Sequence, residues 1–243
     1  MTGAMIEIQS LSAGYGKLIV LHELSLTFKE NQFTAILGPN GSGKSTLLKS
    51  IFGLTNIFGG SIQFSGKELV GLPTEEVGNF GIAYVPQREN IFTALSVREN
   101  VQLALRRLTK AQAAQGLDEA YQLFPVLTKR EHQLAGELSG GERQMVAIAL
   151  GWLSRPRVML LDEPSAGLSP LLATEVFHTL QQLASQNITL VVVEQNARSI
   201  LQWCEYVYIL REGQIAYENT ASECRANEEL VKTHLSTGAG KNS

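Results

Sequence analysis

The chain has 243 residues, of which 44% are hydrophobic and 18% charged, with a formal net charge of −3. This composition indicates a globular protein with a sizeable core and excludes a disordered or fibrous chain. The small negative charge gives no general attraction to phosphate backbones, so we predict no nucleic-acid partner. No apolar run approaches the roughly 20 residues of a membrane-spanning helix, and residues 1–10 lack the pattern of a secretory signal.

Apolar runs alternate with helical patterns along the chain, which predicts an α/β fold with a largely parallel sheet. Fully apolar segments predict buried strands at residues 33–37, 82–85, 158–161 and 189–193. Segments that alternate in polarity or lie beside glycine turns resemble antiparallel hairpin strands. These are residues 6–11, 24–28, 61–64, 207–210 and 214–217.

The middle of the chain, residues 88–156, contains no convincing strand and three helical patterns. A capping box at Ser96–Glu99 begins the first helix, and residues 109–124 and 139–154 form the others. We therefore predict one domain over residues 1–243, with a core and an antiparallel β subdomain in residues 1–87 and 157–235. A helical subdomain is inserted at residues 88–156, and residues 236–243 form a flexible tail.

A glycine-rich segment follows the first buried strand and begins a predicted helix. It matches the phosphate-loop pattern GxxxxGK[ST], in the strand–loop–helix context that the pattern requires. Glycines let backbone N–H groups surround phosphate oxygens, the lysine reaches the β- and γ-phosphates, and the following serine binds Mg²⁺. The candidate nucleotide-binding residues are Gly38, Pro39, Asn40, Gly41, Ser42, Gly43, Lys44, Ser45 and Thr46.

Two acidic residues, Asp162 and Glu163, end the apolar strand at residues 158–161. Beside a phosphate loop, the first acid is placed to hold the Mg²⁺ shell and the second to act as general base on a water molecule. The alternative is that both acids merely cap the next helix. With the phosphate loop, the pair predicts a nucleoside triphosphatase that uses Mg²⁺.

A second glycine-containing helix start, residues 138–144 (LSGGERQ), strongly resembles the signature motif of ATP-binding cassette (ABC) ATPases. The resemblance covers residues 5–235 and implies a RecA-like P-loop NTPase core with an antiparallel β subdomain and an inserted helical subdomain. It also implies a head-to-tail dimer, in which the signature of one subunit closes on the ATP held by the other. The signature residues that would bind nucleotide are Ser139, Gly140, Gly141 and Glu142.

Other positions carry over from the family one at a time. Tyr15 matches the aromatic residue that stacks on adenine, with a plain turn tyrosine as the alternative. Gln87 matches the glutamine that senses Mg²⁺ and the attacking water, so it is both a catalytic and a metal-site candidate; a solvated loop glutamine is its alternative.

Two positions depart from the family pattern. Gln195 stands where a histidine usually contacts the γ-phosphate. A glutamine amide donates a hydrogen bond, but unlike histidine it cannot take up a proton and become positively charged. Ser169 stands where aspartate is common, in a loop that crosses the family's dimer interface. The histidines lie in no motif and the cysteines form no CxxC pair, so both sets are interpreted as structural or surface residues. They are His22, His132, His178, His234, Cys204 and Cys224.

These departures resemble one branch of the family. Residues 193–196 (VEQN) and 165–170 (SAGLSP) are similar to the LivF-type ATPase subunit of bacterial uptake systems for branched-chain and other neutral amino acids. Residues 85–92 and 95–100 also resemble urea-uptake relatives, and the amino-acid branch often has glutamate at position 87. The resemblance implies an importer ATPase and leaves the choice between amino acids and urea or a short-chain amide open.

The resemblance also implies partners. They are a second ABC ATPase in a homodimer or heterodimer, polytopic membrane permease subunits, and, indirectly, a periplasmic binding protein. The chain would lie in the cytoplasm on the inner face of the membrane. A coupling helix of the permease would dock around residues 87–95, where Ile91, Phe92 and Leu95 are apolar, unless these side chains face the chain's own core.

Three other classes remain as alternatives. One is a soluble, non-transport ABC ATPase of the iron–sulfur assembly type. The second is an exporter ATPase for lipid or lipopolysaccharide, which the glutamine at position 195 disfavours because exporters usually keep the histidine. The third is a phosphate-loop kinase outside the ABC family, which the signature-like segment disfavours.

Overall fold

The computed structural model describes residues 3–106 and 108–235, and within them ten strands form two sheets. Apolar and β-branched residues dominate these strands, as expected of segments that pack against a core. The strands are β1 (Ala4–Tyr15), β2 (Leu18–Lys29), β3 (Phe33–Leu37), β4 (Asn56–Phe64), β5 (Lys67–Glu68), β6 (Ile82–Val85), β7 (Val158–Asp162), β8 (Thr189–Glu194), β9 (Tyr206–Arg211) and β10 (Gln214–Thr220).

The larger sheet has six strands in the order β10-β9-β3-β8-β7-β6. All neighbours from β9 to β6 are parallel, and β10 pairs with β9 in the antiparallel sense. The four predicted buried strands are confirmed as β3, β6, β7 and β8. The last two extend one residue further than predicted, to Asp162 and Glu194.

The smaller sheet has the order β2-β1-β4-β5, and its pairs are antiparallel. The predicted antiparallel strands in the first third of the chain are therefore confirmed, although β1 and β2 are longer than predicted. The second predicted hairpin, β9–β10, is also formed, but it belongs to the larger sheet because β9 pairs in parallel with β3.

Short helices connect the strands, and the longer ones lie in the helical segment and after β7. They are α1 (Lys44–Ile51), α2 (Thr74–Asn79), α3 (Val97–Leu105), α4 (Lys110–Leu123), α5 (Val126–Lys129), α6 (Gly140–Leu153), α7 (Pro170–Ala184), α8 (Ala197–Ile200), α9 (Ala221–Ala226) and α10 (Glu228–Leu235), with a 3₁₀ turn at Ala135–Glu137. The three predicted helices of the middle segment correspond to α3, α4 and α6. The predicted tail at residues 236–243 lies outside the described residues.

Successive residues of a strand point to opposite faces of its sheet, so the six-stranded sheet buries two layers. On one face Ala35, Leu161 and Val192 pack with residues of α6 and α7. On the other face Ile36, Leu160 and Val191 pack with α1 and the smaller sheet. Helices or strands thus cover both faces, which explains the continuous apolar runs of the parallel strands.

The residues interpreted as structural fit into this frame. Cys204 and Cys224 are buried and free, and burial raises the pKa of the Cys204 thiol to about 12, which makes it a poor nucleophile. The His178 ring packs edge-on against Trp203 with centroids 6.2 Å apart, and His234 stacks on Tyr217 at 5.1 Å. None of the helices in the described part of the chain is long and apolar enough to span a membrane.

Candidate functional site

The candidate site lies at the carboxyl ends of the parallel strands. Gly38 directly follows β3, and Gln87 comes two residues after β6. Glu163 directly follows β7, and Gln195 directly follows β8. Because β3, β8, β7 and β6 are parallel neighbours, these loops emerge at one edge of the sheet. Open α/β sheets bind ligands at this edge.

The glycine-rich loop approaches other backbone so closely that side chains would not fit. A Cβ at Gly38 would lie 2.3 Å from the Leu210 carbonyl oxygen, and Gly43 has a φ of 101°, which disfavours other residues. The loop leads into α1, whose first N–H groups have no partner within the helix. Ser42 is 3% exposed, and its Oγ has no hydrogen-bond partner among the described residues. An orphaned buried hydroxyl beside a helix start fits a missing phosphate oxygen.

Lys44, the first residue of α1, turns back into this loop. Its Nζ donates to the carbonyl oxygens of Gly38 at 2.9 Å and Pro39 at 3.0 Å. The Glu163 carboxylate lies 4.0 Å away. Burial lowers the pKa of the ammonium, and the charges of Glu163, Asp162 and Glu194 oppose that effect. The cation therefore lies between the loop and a cluster of three acids.

Asp162 connects β7 to the helix after the loop. Its Oδ1 accepts a hydrogen bond from Ser45 Oγ at 2.8 Å, and its Oδ2 lies 3.3 Å from the donating Tyr84 hydroxyl. Helix α7 begins only at Pro170, where Ser169 supplies the cap, so Asp162 and Glu163 do not cap the next helix. A hydroxyl and a carboxylate oxygen in contact are the oxygen ligands that Mg²⁺ prefers.

Glu163 has a φ of 46°, a left-handed conformation that costs a non-glycine residue about 1 kcal/mol. Its N–H donates to the Val193 carbonyl at 3.0 Å, which ties the strained residue to β8. Its Oε2 accepts a hydrogen bond from Gln87 Nε2 at 2.7 Å. The structure thus brings Lys44, Gln87 and Glu163 together, although they come from three separate segments.

Gln195 is exposed and lines a cavity of about 480 Å³ together with Glu163, Ser165 and Glu194. The structure therefore places Gln195 and Glu163 on the same cavity. Tyr15 ends β1 with its ring 41% exposed, and Lys49 of α1 lies over that ring with its Nζ 5.9 Å from the centroid. An exposed aromatic face next to α1 can receive a flat ring.

The signature-like segment forms a complete helix start of its own. Ser139 and Glu142 make the two reciprocal bonds of a capping box, and Arg130 donates to Glu142 at 2.8 Å. The N–H of Ser139, Arg130 and the Ser139 hydroxyl lower the pKa of Glu142 to about 2. A Cβ at Gly141 would lie 3.1 Å from two methyl carbons of Leu172, so glycine also serves packing here.

The signature does not meet the phosphate loop within one chain. Ser139, Gly141 and Glu142 line a separate cavity of about 610 Å³, and no residue of the 38–46 loop is among the described residues that line it. The predicted signature residues and the predicted phosphate loop therefore share no cavity among the described residues.

The predicted docking segment is only partly exposed. Ile91 is buried in the main core, which contradicts its assignment to a docking surface, because it packs among helical-segment residues such as Val97. Phe92 is 62% exposed. The buried Asn100 side chain binds both the N–H of Phe92, at 2.8 Å, and its carbonyl, at 3.0 Å, so the backbone that presents this ring is fixed.

Three contributors were missed from the sequence: Tyr84, Glu194 and Asn100. Their partners Asp162, Ser165 and Phe92 are separated from them by 78, 29 and 8 residues. For Tyr84 and Glu194 the only available signal was a polar residue in an apolar strand. A polar side chain in that position must find a partner or lose free energy.

Comparisons with known proteins find relatives that match most of this chain. The family described as ABC transporter matches residues 21–166. The chain is 40% identical over 229 residues to an Archaeoglobus fulgidus protein described as a probable branched-chain amino acid transport ATP-binding protein LivF, covering 94% of this chain and 97% of that protein.

A second relative is the Pseudomonas aeruginosa high-affinity branched-chain amino acid transport ATP-binding protein BraG, 36% identical over 95% of this chain and 99% of that protein. Among solved structures, the dimeric structure of a bacterial ABC transporter cassette superposes with a TM-score of 0.78 at 26% identity, covering 89% of this chain and 99% of that one. The likeness therefore extends over nearly the whole chain.

Proposed function

The chain belongs to the ABC transporter family of ATPases, and on that premise we propose that it drives a bacterial importer of branched-chain or other neutral amino acids. The observation that carries the proposal is the assembly of Lys44, Asp162 and Glu163 beside the glycine-rich loop. The relatives at 36% and 40% identity, both named for branched-chain amino acid transport, supply the substrate class.

The phosphate loop, residues 38–46, would hold the triphosphate of ATP. The N–H groups at the start of α1 and the unpaired Ser42 Oγ are donors that suit a phosphate oxygen. Lys44 would exchange its bonds to the Gly38 and Pro39 carbonyls for bonds to phosphate oxygens. Tyr15 would stack on adenine beside α1.

Ser45, Gln87 and Asp162 are the residues that would hold Mg²⁺. The Ser45 hydroxyl and the Asp162 carboxylate are in contact. The Gln87 amide, whose nitrogen donates to Glu163, carries a further oxygen that could bind the ion. This small all-oxygen set fits Mg²⁺, which usually keeps waters and substrate phosphates as its other ligands. When bound, the ion supplies positive charge to the phosphate oxygens.

Glu163 would accept the proton of the attacking water. Its carboxylate is oriented by the Gln87 amide, and Lys44 lies on its other side. Gln195 would donate a neutral hydrogen bond near the γ-phosphate. Because a glutamine has no titratable group, this contact keeps the same charge at every pH.

Each signature, residues 139–142, would complete the ATP site of a partner. None of residues 38–46 is among the described residues that line the cavity beside the signature, and a solved relative is dimeric. We propose a second ATPase subunit as partner, non-identical because Gln195 and Ser169 depart from the family pattern. Permease subunits in the membrane, a periplasmic binding protein that acts through them, and a position on the cytoplasmic face complete the proposal.

Uptake measurements test the substrate class. Deleting the gene for this chain in its host is expected to abolish high-affinity uptake of labelled leucine, and restoring the wild-type chain is expected to recover it. Urea and acetamide uptake in the same strains are the controls. Loss of urea or acetamide uptake with leucine uptake intact would contradict the amino-acid assignment and favour a urea or amide importer.

Replacing the exposed ring of Phe92 tests the docking surface. Phe92→Asp is expected to lower recovery of the chain with membranes about 10-fold or more, since it removes a buried aromatic contact from the interface. ATP binding is expected to remain, because Asn100 fixes the backbone at this position. The measurement is the membrane-bound fraction of the tagged chain when it is co-expressed with its permease.

Phe58→Asp is the matched control, since it makes the same change at another exposed ring, on β4. It is expected to leave the membrane-bound fraction unchanged. Equal losses in both variants would contradict a specific role for Phe92. Misfolding of Phe92→Asp alone would show that the ring serves the chain's own core.

A further inference from the structure

A buried carboxylate that the proposed mechanism does not use lies next to Glu163. Glu194 ends β8 and is 3% exposed. Its Oε1 accepts a hydrogen bond from the N–H of Ser165 at 2.9 Å. The Ser165 hydroxyl and the N–H of Gln195 also act on this carboxylate, since both lower its pKa.

This arrangement is costly to maintain. Burial raises the pKa of Glu194, and the nearby charge of Glu163 raises it further, while the bonds from Ser165 and Gln195 lower it. Replacing buried charged groups by apolar side chains of similar volume often leaves the folding stability of a protein unchanged or raises it. A buried carboxylate that is kept therefore suggests a role other than stability. The other residues of this strand interior, such as Val192 and Val193, are fully apolar.

The carboxylate holds the segment that carries Glu163. Glu163 is strained, with a φ of 46°, and its N–H is bound to the Val193 carbonyl. Two residues further on, the Ser165 N–H is bound to the Glu194 side chain. Two adjacent residues of β8 thus hold the segment on either side of Pro164. The Ala166 N–H closes the turn on the Glu163 carbonyl at 3.1 Å.

We propose that Glu194 is a positioning residue for hydrolysis: its carboxylate fixes the turn at residues 163–166 against β8 and so aims the Glu163 side chain at Gln87 and Lys44. The same bond connects the end of β8, next to Gln195, to the loop that leads to Ser169. One carboxylate therefore links the segments that carry Gln195 and Ser169, the two residues that depart from the family pattern. The inference rests on the proposed role of Glu163 as the base.

Replacing Glu194 by residues that keep or lose its acceptor tests the proposal. Glu194→Leu preserves approximate volume but cannot bind the Ser165 N–H, and it is expected to lower kcat about 10- to 100-fold, the size of effect that a misplaced catalytic group produces. The Kd for ATP is expected to stay within about twofold, because the phosphate loop is untouched. Glu194→Gln keeps a carbonyl acceptor and is expected to regain kcat to within about threefold of wild type.

Thr189→Val is the matched control, because it removes another buried polar group from β8, at the opposite end of the strand, where Thr189 Oγ1 binds the Asn31 N–H. It is expected to lower thermal stability without a comparable loss of kcat. A kcat of Glu194→Leu no lower than that of Thr189→Val would overturn the proposal. So would parallel losses of kcat and ATP affinity, which would indicate a general disturbance of the site.

If Glu194→Leu does not fold, Ser165→Ala takes its place. It removes the hydroxyl that lowers the pKa of the Glu194 carboxylate and leaves the N–H that binds it, so kcat is expected to fall about threefold with ATP affinity unchanged. An unchanged kcat would overturn the proposal. Glu163→Gln, assayed alongside, separates the two inferences. If it leaves ATP hydrolysis intact, both the assignment of the base and the role of Glu194 are wrong. If it abolishes hydrolysis while the Glu194 and Ser165 variants keep the wild-type kcat, only the role of Glu194 is wrong.

Discussion

Glu163→Gln is expected to lower ATP hydrolysis at this chain's phosphate loop by about 100- to 10,000-fold, the usual contribution of a general base. The amide keeps the shape of the side chain but cannot accept the proton of water. ATP binding is expected to persist within about twofold, because Lys44 and the loop are unchanged. Turnover should be measured in the assembled transporter with the second ATP site inactivated in the partner, and binding with a fluorescent ATP analogue.

Glu205→Gln provides the control for this substitution, since the same change at an exposed side chain just before β9 removes one charge at the other end of the sheet, where the Glu205 N–H binds the carbonyl of Phe33 at the start of β3. Its hydrolysis is expected to match the wild type. A Glu163→Gln transporter that hydrolyses ATP at the wild-type rate would refute the assignment of the base. Accumulation of an ATP-bound dimer in the same variant would support it, since binding without hydrolysis traps that state.

Lys44→Met is the second large effect. The variant retains an unbranched chain of similar length but loses the ammonium, so ATP affinity is expected to fall about 10- to 100-fold, the value of a charged hydrogen bond of roughly 1.5–3 kcal/mol. Hydrolysis is expected to fall further, by about 100- to 1,000-fold, because charge stabilisation grows in the transition state. Adenosine, which lacks phosphates, should bind as before, and calorimetry of both ligands measures the difference.

Lys67→Met is the corresponding control, because Lys67 lies on β5 over the Phe80 ring and outside the loop. It is expected to change neither ligand's affinity. If Lys44→Met weakened adenosine and ATP equally, the lysine would be acting through the fold and not through phosphate.

Local patterns predicted much of this protein. The loop at residues 38–46 could be located because its strand, glycines and helix are consecutive in the chain, and the capping box at Ser96 depends only on two residues three apart. Sheet membership was harder to predict. The turn between β9 and β10 indicates a hairpin. On its other side, however, β9 pairs with β3, which lies about 170 residues earlier in the chain.

Side-chain partners across the fold were not predictable. Nothing near Tyr84 in the sequence indicates Asp162, and nothing near Glu194 indicates Ser165, because parallel strands bring together ends that are distant in the chain. Burial within a loop was equally undetermined. Ile91 and Phe92 are neighbours of similar hydrophobicity, yet one is 9% exposed and the other 62%, since only packing against the helical segment distinguishes them.

The two hydrogen bonds of Lys44 have a consequence for affinity. Because the ammonium binds the carbonyls of Gly38 and Pro39, a phosphate group that binds this lysine must replace those bonds. Nucleotide binding is then an exchange reaction, and a measured dissociation constant reports the difference between two sets of bonds and not the strength of the new one. The same two bonds connect the lysine to the loop that precedes its helix, and such internal bonds reduce the ordering that binding requires.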